Sequence, residues 1–136
     1  MRELKFRAYS KRYGLKEVGC LITERGYWTY EPEDKNHIGV NLDRQPFWTI
    51  EQYTGLKDKN GKEIYEGDIV KEVIGEKFTI WEVRYCQDEC CFGLHYIRGA
   101  LYGDSLLDSD SQYEVIGNIH ENKDLLEYIE KDQKTE

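Results

Sequence analysis

Three cysteines and one histidine lie close together in the second half of this 136-residue chain. Cys86 is followed by Cys90, Cys91 and His95, and two to four residues between cysteines is a spacing found in zinc sites. A structural zinc site needs four converging ligands, and the distant Cys20 would have to supply one. We therefore interpret these residues as reduced thiols in a β-hairpin and expect neither a metal nor a cofactor.

A cysteine nucleophile is the second chemistry that these residue types would allow. It needs a base within reach and a thiol that ionises readily. The three histidines of the chain are His37, His95 and His120, and none of them lies in a recognisable catalytic motif. We favour structural or incidental roles for all three.

Carboxylates around a glycine corner form the third candidate group. Glu63, Glu66 and Asp68 lie close to Gly67, and paired carboxylates can perform acid–base or metal chemistry. We favour a structural explanation, in which Gly67 meets a backbone requirement and Asp68 accepts backbone N–H hydrogen bonds. The chain has no P-loop, dinucleotide fingerprint or nucleophile elbow, so the sequence predicts a protein without enzymatic activity.

The composition favours a single β-rich domain over residues 1–136. Eleven tyrosines and three tryptophans account for much of the apolar content, and aromatic side chains suit half-buried sheet surfaces. A chain of this length can bury a core without disulfide bonds. No apolar run is long enough to span a membrane, and no signal peptide is visible. We therefore expect a cytoplasmic protein with no membrane association.

Alternating apolar residues predict a mainly β (α+β) fold. We expect a small, strongly bent antiparallel sheet of the SH3-like or barrel-like type, followed by a C-terminal α-helix. Residues 33–45 and 99–112 are predicted loops, and Gly75-Glu76 is a predicted hairpin turn. The predicted strands are residues 4–8, 18–22, 27–30, 47–50, 68–74, 77–86, 92–97 and 113–119.

The strand after the hairpin turn has an irregular phase. Phe78 and Ile80 point to one face of the predicted sheet, while Trp81, Val83 and Tyr85 point to the other. The sequence leaves two explanations open. Either a bulge near Ile80 redirects the strand, or both faces of the sheet are covered.

The C-terminal end has the pattern of a short amphipathic helix. Asn122 is a suitable N-cap, and Leu125, Leu126 and Ile129 form one apolar stripe. Residues 131–136 are expected to fray.

The segment Gln52–Val70 is the most distinctive part of the chain. Gly55 interrupts a run of apolar residues, and Asn60-Gly61 is a turn dipeptide that allows positive φ. Gly67-Asp68 then turns the chain into the next strand.

Three segments resemble the YopX-like family of small phage and prophage proteins. They are residues 2–8, Gln52–Val70, and residues 114–119 together with Glu121-Asn122 and Leu125-Leu126. The resemblance implies a phage or prophage origin and an intracellular location in a bacterial host, and the family has no established activity. The residues we assign to its structural motif are Gly55, Asn60, Gly61, Gly67, Asp68 and Gly117.

We expect the protein to be a protein-binding or self-assembling module. Its partner would be a second copy of itself or a host or phage protein. This expectation follows from the aromatic content, from the absence of a catalytic motif, and from a strand with two faces that could both be covered, one of them by self-association. The residues predicted to form the interaction surface are Tyr53, Tyr65, Trp81, Leu125 and Ile129.

Two other functions stay open at this point. A nucleic-acid-associated role in phage replication would use the basic N-terminal residues together with aromatic stacking. The net charge of −8 opposes that role, because phosphate repels an acidic chain. An uncharacterised enzyme or metal-binding protein is the other alternative. The basic residues in question are Arg2, Lys5, Arg7, Lys11, Arg12 and Lys16.

Overall fold

The structure is a computed structural model that describes residues 4–11, 14–23, 26–30 and 49–126. The chain divides into two compact units, Met1–Gly55 and Leu56–Glu136. Their boundary falls inside strand β4, Thr49–Lys57. The chain therefore passes from one unit to the other without a loop or linker.

The first unit is built from antiparallel strands. Strand β1 pairs with β2 on one side, where Phe6 faces Val18, and with β4 on the other, where Phe6 faces Gln52. The full order of this sheet is β3-β2-β1-β4-β5. The strands are β1 (Phe6–Ser10), β2 (Gly14–Thr23), β3 (Gly26–Tyr30), β4 (Thr49–Lys57) and β5 (Glu63–Tyr65), the last of which belongs to the second unit.

Strand β1 is occluded on both faces, whereas its alternating sequence predicted one buried and one solvated face. Arg7 and Ala8 point to opposite faces, and both are buried, while Leu4 is exposed. The Arg7 Nε donates a 2.9 Å hydrogen bond to Glu51 Oε1 on the neighbouring strand. Pairing allows these two charges to be buried together.

The second unit contains a five-stranded antiparallel sheet with the order β10-β6-β7-β8-β9. The predicted hairpin at Gly75-Glu76 is confirmed, since β6 and β7 have the predicted bounds. The two strands pair continuously, from Ile69 opposite Glu82 to Ile74 opposite Lys77. The strands are β6 (Asp68–Ile74), β7 (Lys77–Cys86), β8 (Cys91–Gly99), β9 (Ser105–Leu106) and β10 (Tyr113–Asn118).

The irregular phase of β7 is explained by the second of its two predicted causes, the coverage of both faces of the sheet. The register between β7 and β8 shifts between Ile80 and Trp81 because β8 contributes one extra residue, Ile97. The bulge therefore lies on β8, and β7 pairs with β6 without a register shift. Each face also carries its own apolar cluster. One contains Val70, Trp81 and Val83, and the other is centred on Ile69 with Ile80 packed against it.

The C-terminal helical turn occupies residues 123–126 of the described chain. Leu125 and Leu126 pack against the Ile69 cluster, as the apolar stripe predicted. Asn122 directly precedes the helix, but its Oδ1 accepts the backbone N–H of Asn118 at 3.0 Å. Its side chain therefore caps the end of β10. Ile129 and the predicted frayed tail, residues 131–136, lie outside the described residues.

The prediction of a mainly β, barrel-like fold with a C-terminal helix is confirmed, with the strands distributed over two antiparallel sheets, one of them curled into a half-barrel. The predicted loop 33–45 lies outside the described residues. The predicted loop 99–112 contains the short strand β9. In the described parts of the chain, no helix has the length and apolarity to cross a membrane.

Candidate functional site

The cysteines lie at the tip of the β7–β8 hairpin. Cys86 and Cys91 face each other as the last register pair of the two strands, and Cys90 lies in the intervening turn. Cys90 is exposed and has a positive φ of 54°. Its Sγ lies 3.6 Å from the carbonyl oxygen of Gln87, to which the thiol donates.

His95 lies further along β8 and is held by a carboxylate. Its Nδ1 is 3.2 Å from Asp104 Oδ1, and its register partner on β7 is Glu82. Cys86 and His95 both line a cavity of about 270 Å³ on this face of the hairpin. Across residues 4–11, 14–23, 26–30 and 49–126, no three histidine, cysteine or acidic side chains are grouped as metal ligands.

The charges around this cavity are neutralised locally. Arg84 Nε and Nη2 donate to the two carboxylate oxygens of Glu82 at 2.8 and 3.0 Å, and this hydrogen bonding raises the pKa of Arg84. The backbone N–H of Tyr96 donates to Asp104 and, with His95 and Arg84 nearby, lowers the pKa of that carboxyl group. The charged groups of this cluster therefore pair with one another, Arg84 with Glu82 and His95 with Asp104.

The predicted interaction surface is corrected by the structure. Tyr53, Tyr65 and Trp81 are 4%, 4% and 2% exposed, so these aromatic rings belong to the interior. Leu125 is partly buried against the Ile69 cluster, and Ile129 lies outside the described residues. The error has a physical cause, because a large aromatic ring is as suitable for a core as for an interface.

A second cavity lies in the second unit under the segment that follows β8. Its volume is about 290 Å³, and Trp81 and Leu94 contribute apolar walls. We call it the loop cavity. The polar lining residues are Glu72, Asp104, Ser105, Asp108, Ser111 and Tyr113.

The segment over the loop cavity is fixed by hydrogen bonds along its length. The backbone N–H of Leu101 donates to Thr79 Oγ1 at 3.0 Å, and that of Asp108 donates to the Tyr113 hydroxyl at 3.2 Å. Between them, the N–H of Leu107 donates to the carbonyl of Phe92 at 3.3 Å. The cavity is therefore held open by a defined backbone path.

The edge of the loop cavity carries three exposed apolar side chains, which we call the rim: Leu101, Tyr102 and Leu106. They are 46%, 87% and 51% exposed. The Tyr102 ring lies 5.0 Å from that of Tyr96, which in turn lies edge-on to Trp81 at 6.1 Å. The aromatic contacts connect the rim to the core below it.

Sequence reasoning missed the loop cavity. The aspartates and serines of residues 99–112 predict only a loop. The available signal was the apolar content of the same segment, since Leu101, Tyr102, Leu106 and Leu107 occur within seven residues. Four large apolar side chains grouped in one segment indicate burial or an interaction site rather than a fully solvated loop.

The wall of the loop cavity contains a buried carboxylate. Glu72 is 8% exposed, and its Oε1 accepts the indole N–H of Trp81 at 3.2 Å. Tyr113, its register partner on β10, has a pKa raised first by burial and further by the nearby Glu72 charge. This wall is thus electronegative.

Comparison with known proteins identifies the family. Residues 5–127 match the family described as YopX protein. The chain belongs to the YopX family. No curated protein matches it at a significant level.

A solved structure supports the same fold. The chain is similar to protein EF1440 from Enterococcus faecalis, whose crystal structure shares 30% sequence identity with it. The match covers 93% of this chain and 99% of that chain, with a TM-score of 0.60.

The middle YopX segment forms a hairpin stabilised by Asp58. A three-residue loop ends at Gly61, which has a φ of +84°. The residues on either side of the loop are joined by a hydrogen bond, in which the Asp58 N–H donates to the Lys62 carbonyl at 2.7 Å. Asp58 Oδ1 accepts the N–H groups of Asn60 and Lys62, and Oδ2 accepts that of Val115 on β10. The segment is therefore bound to the last strand of the fold.

The other motif glycines also have backbone roles. Gly55 and Gly67 have φ values of +91° and +83°. Asp68 is buried and accepts the backbone N–H of Tyr65 at 2.8 Å, as its structural explanation required. At Gly117 a Cβ would lie 2.5 Å from Asn122 Oδ1, so the glycine makes room for the side chain that caps β10.

Proposed function

We propose that this YopX protein is a non-enzymatic protein-binding module that self-associates through the rim of the loop cavity. The observation that carries the proposal is the exposure of Leu101, Tyr102 and Leu106 around one concave site. Large apolar side chains grouped at a cavity, rather than scattered, are typical of interaction sites. From the family resemblance, we further propose that the protein is encoded by a phage or prophage and acts in the bacterial cytoplasm.

The chemistry of the rim suits an interface. Tyr102 presents almost its whole side chain to solvent, and tyrosine is among the residues that contribute most at protein interfaces. The backbone beneath the rim is already fixed by hydrogen bonds, so binding would order few additional groups. The rim also includes a residue of β9, Leu106, and β9 is the last strand in the order of its sheet.

A nucleic-acid role receives less support. Arg7 is one of the basic residues on which that alternative depends, and it is buried in an ion pair with Glu51. A guanidinium in that position is not available to a phosphate. The loop cavity instead presents carboxylates, which repel phosphate.

A pair of double variants tests the proposal. Tyr102→Ser with Leu106→Ser removes two apolar side chains from the rim, and we expect it to weaken self-association at least about tenfold. Val73→Ser with Ile74→Ser is the matched control, because those side chains are similarly exposed, at 51% and 57%, on the β6–β7 hairpin. The measurement is the association constant from sedimentation equilibrium. Equal association by the two variants would contradict a role for the rim.

A further inference from the structure

We infer that the loop cavity is a binding pocket for one cationic side chain, a lysine or an arginine, of the protein that docks on the rim. This inference rests on the proposed function and specifies the chemistry of the same site. It is carried by three observations: the charge of the lining, the burial of Glu72, and the size of the cavity.

The lining of the loop cavity is acidic. Glu72, Asp104 and Asp108 contribute carboxylates, and none of the described residues that line it is lysine, arginine or histidine. Asp104 accepts the backbone N–H of Tyr96 and lies 3.2 Å from His95 Nδ1, and Asp108 accepts the backbone N–H of Asp110. Glu72 and Asp108 are therefore the lining carboxylates for which no ion pair is observed among the described residues. The negative charge is thereby fixed in position around the opening.

Glu72 is the residue that most requires a cation. Within the described part of the chain it forms no ion pair, and its hydrogen-bond donor is the neutral indole N–H of Trp81. A buried carboxylate without a counter-charge is costly. An ammonium or guanidinium group entering the cavity would supply both the counter-charge and further hydrogen-bond donors.

The size and the walls of the cavity select one side chain rather than a larger ligand. About 290 Å³ is at or below the lower end of small-molecule pockets, which span roughly 300–1,000 Å³. Leu94 and Tyr102 line the cavity along with the carboxylates, so they can contact the apolar stem of a lysine or arginine. The Tyr102 ring can also receive the cation at its face.

The inference is tested with single-residue probes on the full-length, isotope-labelled protein. The cationic probes are N-acetyl-arginine methylamide and N-acetyl-lysine methylamide, and the neutral counterparts contain citrulline and norleucine. We expect the cationic probes to shift the NMR resonances of the Trp81 indole and the Tyr102 amide, and the neutral probes to leave them unchanged. Equal shifts from charged and neutral probes, or no shifts from any probe, would overturn the inference.

Glu72→Gln provides the residue-level test. The glutamine oxygen can still accept the Trp81 indole N–H, so the change removes charge while preserving the hydrogen bond. We expect at least about tenfold weaker binding of the arginine probe, which corresponds to about 1.4 kcal/mol. Glu89→Gln is the control, because Glu89 is exposed in the β7–β8 turn. Unchanged binding of the arginine probe by Glu72→Gln would overturn the inference. If this variant does not fold, the comparison of charged and neutral probes on the unmodified protein decides whether the inference holds.

The two proposals fail in different ways. If the rim variant associates as strongly as the hairpin control, the proposed function fails, whatever the probes do. If self-association depends on the rim but the cavity does not distinguish charged from neutral probes, only the cationic-pocket inference fails.

Discussion

At the scale of single residues, the clearest structural role belongs to Asp58. Its two oxygens accept three backbone N–H groups, from Asn60, Lys62 and Val115, at distances between 2.8 and 3.0 Å. Burial raises the pKa of Asp58, but these hydrogen bonds and the nearby Lys62 charge outweigh it, so the net pKa is below 3.8. One carboxylate thus connects the middle family segment to the last strand.

We predict that Asp58→Asn lowers the free energy of unfolding at neutral pH by about 2–4 kcal/mol. The amide loses the negative charge and can present an N–H donor to the N–H of Val115. Urea denaturation measures the change. Asp88→Asn, at an exposed turn position, should stay within about 0.5 kcal/mol of the original protein. A loss no larger for Asp58→Asn than for this control would contradict the role.

The stabilisation by Asp58 has a predicted pH dependence. Because its folded-state pKa lies below the ordinary value of 3.8, the ionised carboxylate stabilises the fold at pH values above that ordinary value. This contribution is lost as the pH falls through the folded-state pKa. The stability difference between the original protein and Asp58→Asn should therefore be constant near neutral pH and decrease at acid pH. A difference that grows on acidification would show that another group is responsible.

At the scale of elements, local sequence predicted the β6–β7 hairpin with its bounds and the strands β8 and β10 to within two residues. It did not predict the length of β4 or the short strands β5 and β9. Gly75-Glu76 is a turn between two runs of strand-forming residues, so the information is local. In the sequence, Gly55 suggests the end of a strand. In the structure, strand β4 continues through Gly55, which has a φ of +91°. The burial of Arg7 depends on Glu51, which is distant in the sequence.

The candidate site was beyond local prediction for a related reason. Cys86, Cys91 and His95 suggested chemistry by type and spacing, and the structure brings Cys86 opposite Cys91 but gives His95 an aspartate partner. The loop cavity depends on hydrogen bonds between the 99–112 segment and strands β7, β8 and β10. No short-range pattern encodes such contacts.

The junction of β8 with β7 provides an element-scale prediction. A Cβ at Gly99 would lie 2.3 Å from the carbonyl oxygen of Phe78 and 2.6 Å from the Cα of Thr79. Both contacts are with backbone atoms, so the strands would have to separate. We predict that Gly99→Ala lowers the unfolding free energy at least about 2 kcal/mol more than Gly103→Ala does.

Gly103 is the matched control for this prediction. Both glycines have positive φ, +120° and +102°, but a Cβ at Gly103 would meet nothing within 4 Å. Gly103→Ala should therefore show only the cost of the backbone conformation, about 1–3 kcal/mol. Equal losses in chemical denaturation would mean that the close approach of the strands contributes nothing to stability.

At the scale of the whole molecule, the question is whether the two compact units unfold together. Their boundary lies inside strand β4. We propose that residues 1–136 form one domain, as the sequence predicted, and that it unfolds in a single cooperative transition.

Two tryptophan variants test this cooperativity. In the sequence, Trp28 and Trp48 precede Gly55, where the first unit ends, and Trp81 lies in the second unit. Replacing the first two by phenylalanine leaves a reporter in the second unit, and Trp81→Phe leaves reporters in the first. Within each variant, the fluorescence transition in urea should coincide with that from circular dichroism. Fluorescence and circular dichroism transitions at different urea concentrations would identify two independent domains.

The mass of the unmodified protein in solution tests the central claim most directly, because the rim is proposed to bind a second copy of the chain. Sedimentation equilibrium over a range of micromolar concentrations should give a mass that rises above the 16.2 kDa of one chain. The Tyr102→Ser, Leu106→Ser variant should remain near the single-chain mass over the same range. A mass of 16.2 kDa for the unmodified protein at every concentration would contradict the account.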